Sequence, residues 1–243
     1  MKIDVAITPE SFSDKDLEGK IVVVVDVLRA STTITAALAR GAEKVLPLAT
    51  VDKVKKSAKE YPQGKVLLCG EREGIRIPGF DLGNSPHEYE DSIVQGKILL
   101  YTSTNGSRML VKTKKARKVY VGSFVNMSAV VKRLVMDGID CFIVCSGREG
   151  KFSLEDTVCA GMIVDRMREN SPKGFVQLTD EALVANIVYE HFSNDLNKMI
   201  NQSFHGRYLV ELGMKSDLSF SISLDLYDTV PVMENGGLIK STP

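Results

Sequence analysis

The chain reads as an α/β protein: a layered α/β/α fold around a mostly parallel or mixed sheet, with a more helical C-terminal part. Two observations predict it. Short apolar, β-branched runs alternate with amphipathic runs of helix length as far as about residue 170, the signature of successive βα units. The run Val22-Val23-Val24-Val25 is apolar without alternation, as in a buried strand, and it leads straight into a carboxylate, Asp26.

Taken in order, the strand candidates are residues 3–7, 21–27, 44–48, 66–70, 98–102, 118–121 and 141–145. The helix candidates between them are 32–40, 51–61, 106–113, 126–136 and 153–168. Residues 32–40 qualify because Ile34, Ala37, Leu38 and Gly41 recur at helical spacing. Beyond 170 the pattern changes: 180–192 is amphipathic, 205–212 reads as a further helix, and 230–233 as a short returning strand. The expected organisation is a core over 1–170 carrying the functional site, and a C-terminal helical closing segment over 171–243 that either forms a subdomain or closes the same domain. Residues 70–86 fit no element. With four glycines and two prolines among charges, they read as an ordered functional loop held by Phe80 and Leu82.

Composition narrows the function. The 243 residues can bury a sizeable core, and 44% are apolar. Basic and acidic side chains number 31 each, so the excess positive charge that drives nucleic-acid binding is missing. The N-terminus lacks a signal-peptide pattern, and no run approaches the roughly 20 apolar residues of a membrane span. A cytoplasmic protein acting on a small molecule is expected, with a homodimer allowed by apolar C-terminal helix surface. Cys69, Cys141, Cys145 and Cys159 form no CxxC pair and read as buried thiols. With only three scattered histidines, zinc is disfavoured and a hard, oxygen-bound metal preferred.

Four segments share one form, a strand end followed by small, hydroxyl or charged residues. They are Asp26–Thr33; Gly70–Glu73 with Glu71 and Arg72; Thr102–Arg108 with Thr104, Asn105, Gly106 and Ser107; and Cys145–Asp156 with Ser146, Gly147, Arg148, Ser153, Glu155 and Asp156. In a parallel sheet all four would open onto one edge, where such folds bind ligands. Carboxylates there suit Mg²⁺, arginines such as Arg29 suit oxyanions, and Ser31, Thr32 and glycine-freed amides suit an anion nest. The plainer alternatives are N-capping by Ser31 or Thr32, an Asp26–Arg29 surface pair, a turn at 104–107, and a helix start at 153–156. A Walker-type loop, a Gly-x-Ser-x-Gly elbow and the cysteine-to-arginine spacing of cysteine phosphatases are all absent.

The combination of Val25–Thr33, Gly70-Glu71-Arg72, Gly79–Pro86 (with Asn84 and Ser85), Thr104–Arg108, Ser153–Asp156 and Cys159-Ala160-Gly161 resembles the 2-phosphosulfolactate phosphatases, the ComB family. His205-Gly206 adds to the likeness, whereas Ser107 stands where many relatives carry threonine. The resemblance implies a Mg²⁺-dependent phosphoric monoester hydrolase that converts 2-phospho-3-sulfolactate to sulfolactate and phosphate, as in coenzyme M biosynthesis. The expected catalytic residues are Asp26, Arg29, Glu71, Asn105 and Glu155, with Asp26, Glu71 and Asp156 on the metal. Substrate contacts are expected from Ser31, Thr32, Arg72, Asn84, Ser85, Thr104, Gly106, Ser107, Ser146, Gly147, Arg148 and Ser153, the sulfonate falling to Arg72 or Arg148. The competing readings are a phosphatase for another small phosphorylated hydroxy acid, a phosphotransferase, and a non-catalytic anion-binding module.

Overall fold

The computed structural model describes residues 1–242. The strands are β1 (Lys2–Ala6), β2 (Ile21–Val25), β3 (Lys44–Pro47), β4 (Val66–Arg72), β5 (Ile75–Arg76), β6 (Ile98–Thr102), β7 (Lys118–Gly122), β8 (Cys141–Cys145), β9 (Gln177–Leu178), β10 (Val230–Glu234) and β11 (Gly237–Ser241). The helices are α1 (Asp14–Leu17), α2 (Ala30–Ala39), α3 (Val51–Ala58), α4 (Asp91–Val94), α5 (Gly106–Lys112), α6 (Met127–Asp137), α7 (Leu154–Glu169), α8 (Asp180–Phe192), α9 (Leu196–Gln202), α10 (Phe204–Glu211) and α11 (Lys215–Ser221). Every strand and helix expected before residue 170 is present, 98–102 and 141–145 with the expected ends and the others shifted; the helix expected over 51–61, for example, stops at Ala58.

The sheet order is β5-β4-β6-β3-β11-β10-β7-β2-β8-β1-β9. It contains two parallel blocks, β4-β6-β3 and β7-β2-β8-β1-β9, joined through the antiparallel hairpin of β10 and β11. Each block meets the hairpin through one residue pair, Val232 with Tyr120 and Leu238 with Val45. Three successive antiparallel junctions reverse the strand sense between the blocks. The expectation of one parallel edge carrying all four loops is therefore corrected. The loops converge because both blocks wrap α2 and α5: α2 touches β3, β7, β10 and β11, and α5 touches β2, β3 and β6.

That placement explains the composition of α2. Residues Ala30 through Leu38 are all buried, its apolar side meeting Val22, Val24, Val45, Leu99 and Val121. Its polar side is satisfied internally, Thr33 donating to the Asn84 carbonyl (2.8 Å) and Thr35 to the Ser31 carbonyl (2.8 Å). On the opposite face of the second block, α6, α7 and α8 cover Ile21, Val23, Ile143 and Cys145, while α3 covers the outer face of the first block.

The segment after 170 supplies α8 to α11, β9 at one sheet edge and the hairpin in the middle. Only the first hairpin strand is read from the sequence, yet Asn235-Gly236 carries the turn signal. Both residues have positive φ (47° and 77°), as a two-residue type I′ turn requires. The 70–86 loop is likewise more regular than expected. β4 continues to Arg72 and turns back through β5, and the chain then closes through a Cys69–Leu82 bridge and a 3₁₀ turn at Pro86–Glu88. All four cysteines are free and buried. Among the described residues, no helix is long and apolar enough to cross a membrane.

Candidate active site

Asp26 lies just past β2 and bends the chain into α2. Its Oδ1 accepts the Ala30 N–H (3.1 Å), its carbonyl accepts the Ser31 N–H (2.9 Å), and its own N–H donates to Ser31 Oγ (2.9 Å). The carboxylate thus caps the start of α2, and the Ser31 hydroxyl is consumed in holding it, with a second bond to the Val24 carbonyl. Gly106 packs against the same carboxylate. A Cβ there would lie 2.6 Å from both Asp26 Oδ2 and Ala30 Cβ, so only glycine lets α5 approach.

Glu71 is held from three sides. Oε1 accepts the Thr104 N–H (2.7 Å), and Oε2 accepts the Gly74 N–H (2.8 Å) and the Thr104 hydroxyl (3.2 Å). Arg29 is buried, at 2% exposure, and paired with a residue the sequence reading does not include. Its Nη1 lies 2.6 Å from Asp217 Oδ2 and its Nη2 donates to the Gly74 carbonyl (2.6 Å). Ser85 donates to the other Asp217 oxygen (2.7 Å), so Asp217 on α11 ties the first two loops together. An Asp26–Arg29 surface pair does not form. Asn105 Oδ1 accepts the Glu149 N–H (3.2 Å), which links the third loop to the fourth.

Asp26, Arg29, Glu71, Asn84, Thr104, Asn105 and Arg148 line one cleft with a cavity volume of about 60 Å³, and Leu28, Glu73, Gly74, Ser103, Glu149, His205 and Tyr208 complete its wall. His205, Tyr208 and Asp217 come from the C-terminal helices. The one prior signal for any of them is the His205-Gly206 pair.

Other expected site residues lie behind this wall. Asp156 is not gathered with Asp26 and Glu71. Its Oδ1 accepts the Val27 N–H (2.8 Å) and its Oδ2 the Gly147 N–H (3.0 Å), clamping the first loop to the fourth. Thr32 bonds to the Val27 carbonyl (2.9 Å) and Ser123 (2.7 Å), and Ser107 exchanges bonds with Ser103. Ser153 caps α7 through the Asp156 N–H (3.3 Å). Arg72 turns to its neighbour's carbonyl and to Thr102 Oγ1 (3.0 Å), away from the cleft. Ser146 is buried with its hydroxyl unpartnered. Glu155 is buried too, but borders a second pocket rather than the cleft.

The electrostatics follow from burial without countercharge. Burial pushes the Asp26 carboxyl up to about 7, helped by the negative charges of Glu71 and Glu155. Asp156 is raised by burial, then by Asp26 and Glu155, and Glu155 is raised by burial. His205 is driven the other way, to about 4, by burial and then by Arg148 and Arg29, so it is a neutral imidazole. Among the described residues, no ion pair within 4.0 Å neutralises Asp26, Glu71, Glu155 or Asp156.

That deficit of positive charge fits a bound divalent cation. No set of three or more His, Cys, Asp or Glu side chains among the described residues is arranged to hold a metal. Of the expected trio, Asp26 and Glu71 are buried carboxylates that line the cleft, whereas Asp156 is bound to backbone amides behind it. Two carboxylates suit Mg²⁺, which keeps several waters and is completed by substrate oxygens.

A sequence model of the 2-phosphosulpholactate phosphatase family matches residues 6–236. Similar proteins include one from Carboxydothermus hydrogenoformans, 42% identical over 95% of this chain and 92% of its own length. Another, from Clostridium perfringens, is 41% identical over 97% and 95%. A third, from Clostridium botulinum strain Eklund 17B, is 36% identical over 99% and 100%. Each is named a probable 2-phosphosulfolactate phosphatase.

Proposed function

The chain belongs to the 2-phosphosulpholactate phosphatase family, and from that premise we propose that it is a phosphoric monoester hydrolase. It releases inorganic phosphate from 2-phospho-3-sulfolactate with Mg²⁺ as cofactor, as in coenzyme M biosynthesis. The observation that carries this reading is the cleft itself, where two buried carboxylates, Asp26 and Glu71, and two exposed ones, Glu73 and Glu149, stand beside the guanidinium groups of Arg29 and Arg148. An anion sensor would gain nothing from Asp26 and Glu71, whereas a hydrolase uses them to bring a cation to the phosphoryl group.

The substrate carries a phosphate, a sulfonate and a carboxylate on three carbons. Arg29, fixed by Asp217 and the Gly74 carbonyl, keeps further N–H groups for phosphate oxygens. Thr104 and Asn105 orient the same group from the third loop. Arg148 takes the sulfonate; of the two arginines considered for it, only Arg148 lines the cleft. Asp26 and Glu71 would hold Mg²⁺, which would supply Lewis-acid polarisation of the phosphoryl group and a lowered pKa for bound water. Water adds to phosphorus as the bond from phosphorus to the C2 oxygen breaks, and that oxygen leaves with a proton as sulfolactate. Asp156, Ser31, Thr32, Ser107 and Ser153 are positioning residues in this reading, because their polar atoms bind backbone or other side chains. The substrate is a small molecule in a cytoplasmic setting, consistent with the balanced charge of the chain.

Phosphate release from 2-phospho-3-sulfolactate, measured with Mg²⁺ and with excess chelator beside phospholactate, tests it. Mg²⁺-dependent release favouring the sulfonate is expected. Equal use of both substrates would remove the sulfonate assignment, and release from neither would leave an anion-binding module.

A further inference from the structure

A second pocket adjoins the cleft, with a cavity volume of about 390 Å³. It shares Arg148, Glu149 and His205 with the cleft, but Lys151 and Arg207 line only this pocket. Among the described residues, neither Lys151 nor Arg207 has a carboxylate within 4.0 Å, and Arg148 meets only the exposed Glu149, at 3.7 Å. Three cations thus line one concavity against two carboxylates, Glu149 and the buried Glu155, and Lys151 and Arg207 remain without a carboxylate partner. An anion entering there would give Lys151 and Arg207 the anionic partner that each lacks.

Two further features point the same way. Arg148 stacks over Phe204 (4.6 Å to the ring centroid) and Tyr208 (4.8 Å), which fixes its guanidinium plane and leaves its N–H edge free for a ligand. The first turns of α7 and α10 also border the pocket through Leu154 and Phe204, adding the positive ends of two helices to the side-chain charge.

We propose that this pocket is a second oxyanion site, distinct from the catalytic cleft, which binds a free phosphate or a sulfonate group. Arg148 forms the wall it shares with the cleft, so an oxyanion there sits beside the path of substrate or product. Binding does not depend on the chemistry assigned to the cleft.

The test titrates inorganic phosphate into the full-length protein with Mg²⁺ present and follows binding by calorimetry. The wild type is expected to show two sites. The double variant Lys151→Gln/Arg207→Gln should keep the cleft site and bind at the second at least about tenfold more weakly, the scale of one lost charge-assisted hydrogen bond. Both side chains are exposed, and a melting curve matching the wild type verifies the fold. Lys151→Arg should retain the second site. If the reading of the cleft fails and phosphate does not bind there, the wild type shows one site and the double variant none. Identical isotherms for wild type and double variant overturn the proposal. Competition by methanesulfonate at the second site identifies a sulfonate group as its occupant; a lack of competition identifies free phosphate.

Discussion

Replacing Asp26 by asparagine removes one ionisation from the cleft and should change how stability depends on pH. Burial and the charges of Glu71 and Glu155 raise the Asp26 carboxyl from 3.8 to about 7. Between those values the folded protein keeps a proton that the unfolded chain has released. Rising pH therefore destabilises the metal-free wild type through this group, until the folded carboxyl itself ionises near 7. The displacement corresponds to at most about 4 kcal/mol, with about 3 kcal/mol of it falling between pH 5 and 8. The asparagine amide of the variant cannot titrate. Its N–H₂ group meets backbone N–H donors, which costs a roughly constant amount across pH, so the slope rather than the offset carries the information. For a chain of this length the difference in melting temperature between Asp26→Asn and wild type should shift by about 6–12 °C in favour of the variant from pH 5 to pH 8 in chelator. Mg²⁺ at a hundredfold excess over its Kd should restore about 2.7 kcal/mol to the wild type at pH 8. It should restore much less at pH 5, where the cation must displace the proton, and little to Asp26→Asn at either pH. Thermal denaturation followed by circular dichroism reads all of this. Parallel pH profiles for the two proteins, or equal Mg²⁺ stabilisation of both, would refute the reasoning.

Two other substitutions probe the frame around the cleft. Asp217→Asn strands the buried Arg29 guanidinium and should cost about 3 kcal/mol in urea denaturation, with much of the loss recovered in Asp217→Leu/Arg29→Met, whose activity should nonetheless be abolished. Gly70→Ala should lower the melting temperature by several degrees and reduce kcat/KM, since Gly70 sits at φ +145° with a built Cβ 1.9 Å from the Thr102 carbonyl oxygen, a clash costing at least about 2 kcal/mol.

The longer strands and helices before residue 170 were legible because each rests on local periodicity, and β2 with its terminal Asp26 is the clearest case; the short α1, β5 and α4 span two to four residues, too few to show a period. The reversal between the two parallel blocks was not, because it depends on where the β10–β11 hairpin inserts. The turn signal at Asn235-Gly236 identifies a hairpin but says nothing about its place in the sheet. The cleft residues Asp26, Arg29, Glu71, Thr104, Asn105 and Arg148 could be picked out by their shared position after strands. Asp217 could not. It lies in a seven-residue helix with no motif, and its role exists only because α11 packs beside Arg29 and Ser85.

The same distinction separates residues of one chemical type into different roles. Asp26, Glu71 and Asp156 are all carboxylates near strand ends, and composition and spacing treat them alike. Asp156 is buried with each oxygen on a backbone amide of a different loop, so its negative charge is spent on holding the loops together. Glu71 is also bound by amides, yet it lines the cleft beside Asp26. Arg29, a buried cation of the same cleft that could have neutralised them, is already committed to Asp217. The fold therefore places this buried positive charge opposite a dedicated partner and leaves Asp26 and Glu71 without one. In the proposed reading, a carboxylate pair left without a countercharge in this way would take its cation from solution, and the remaining N–H groups of Arg29 would meet the anion that follows it.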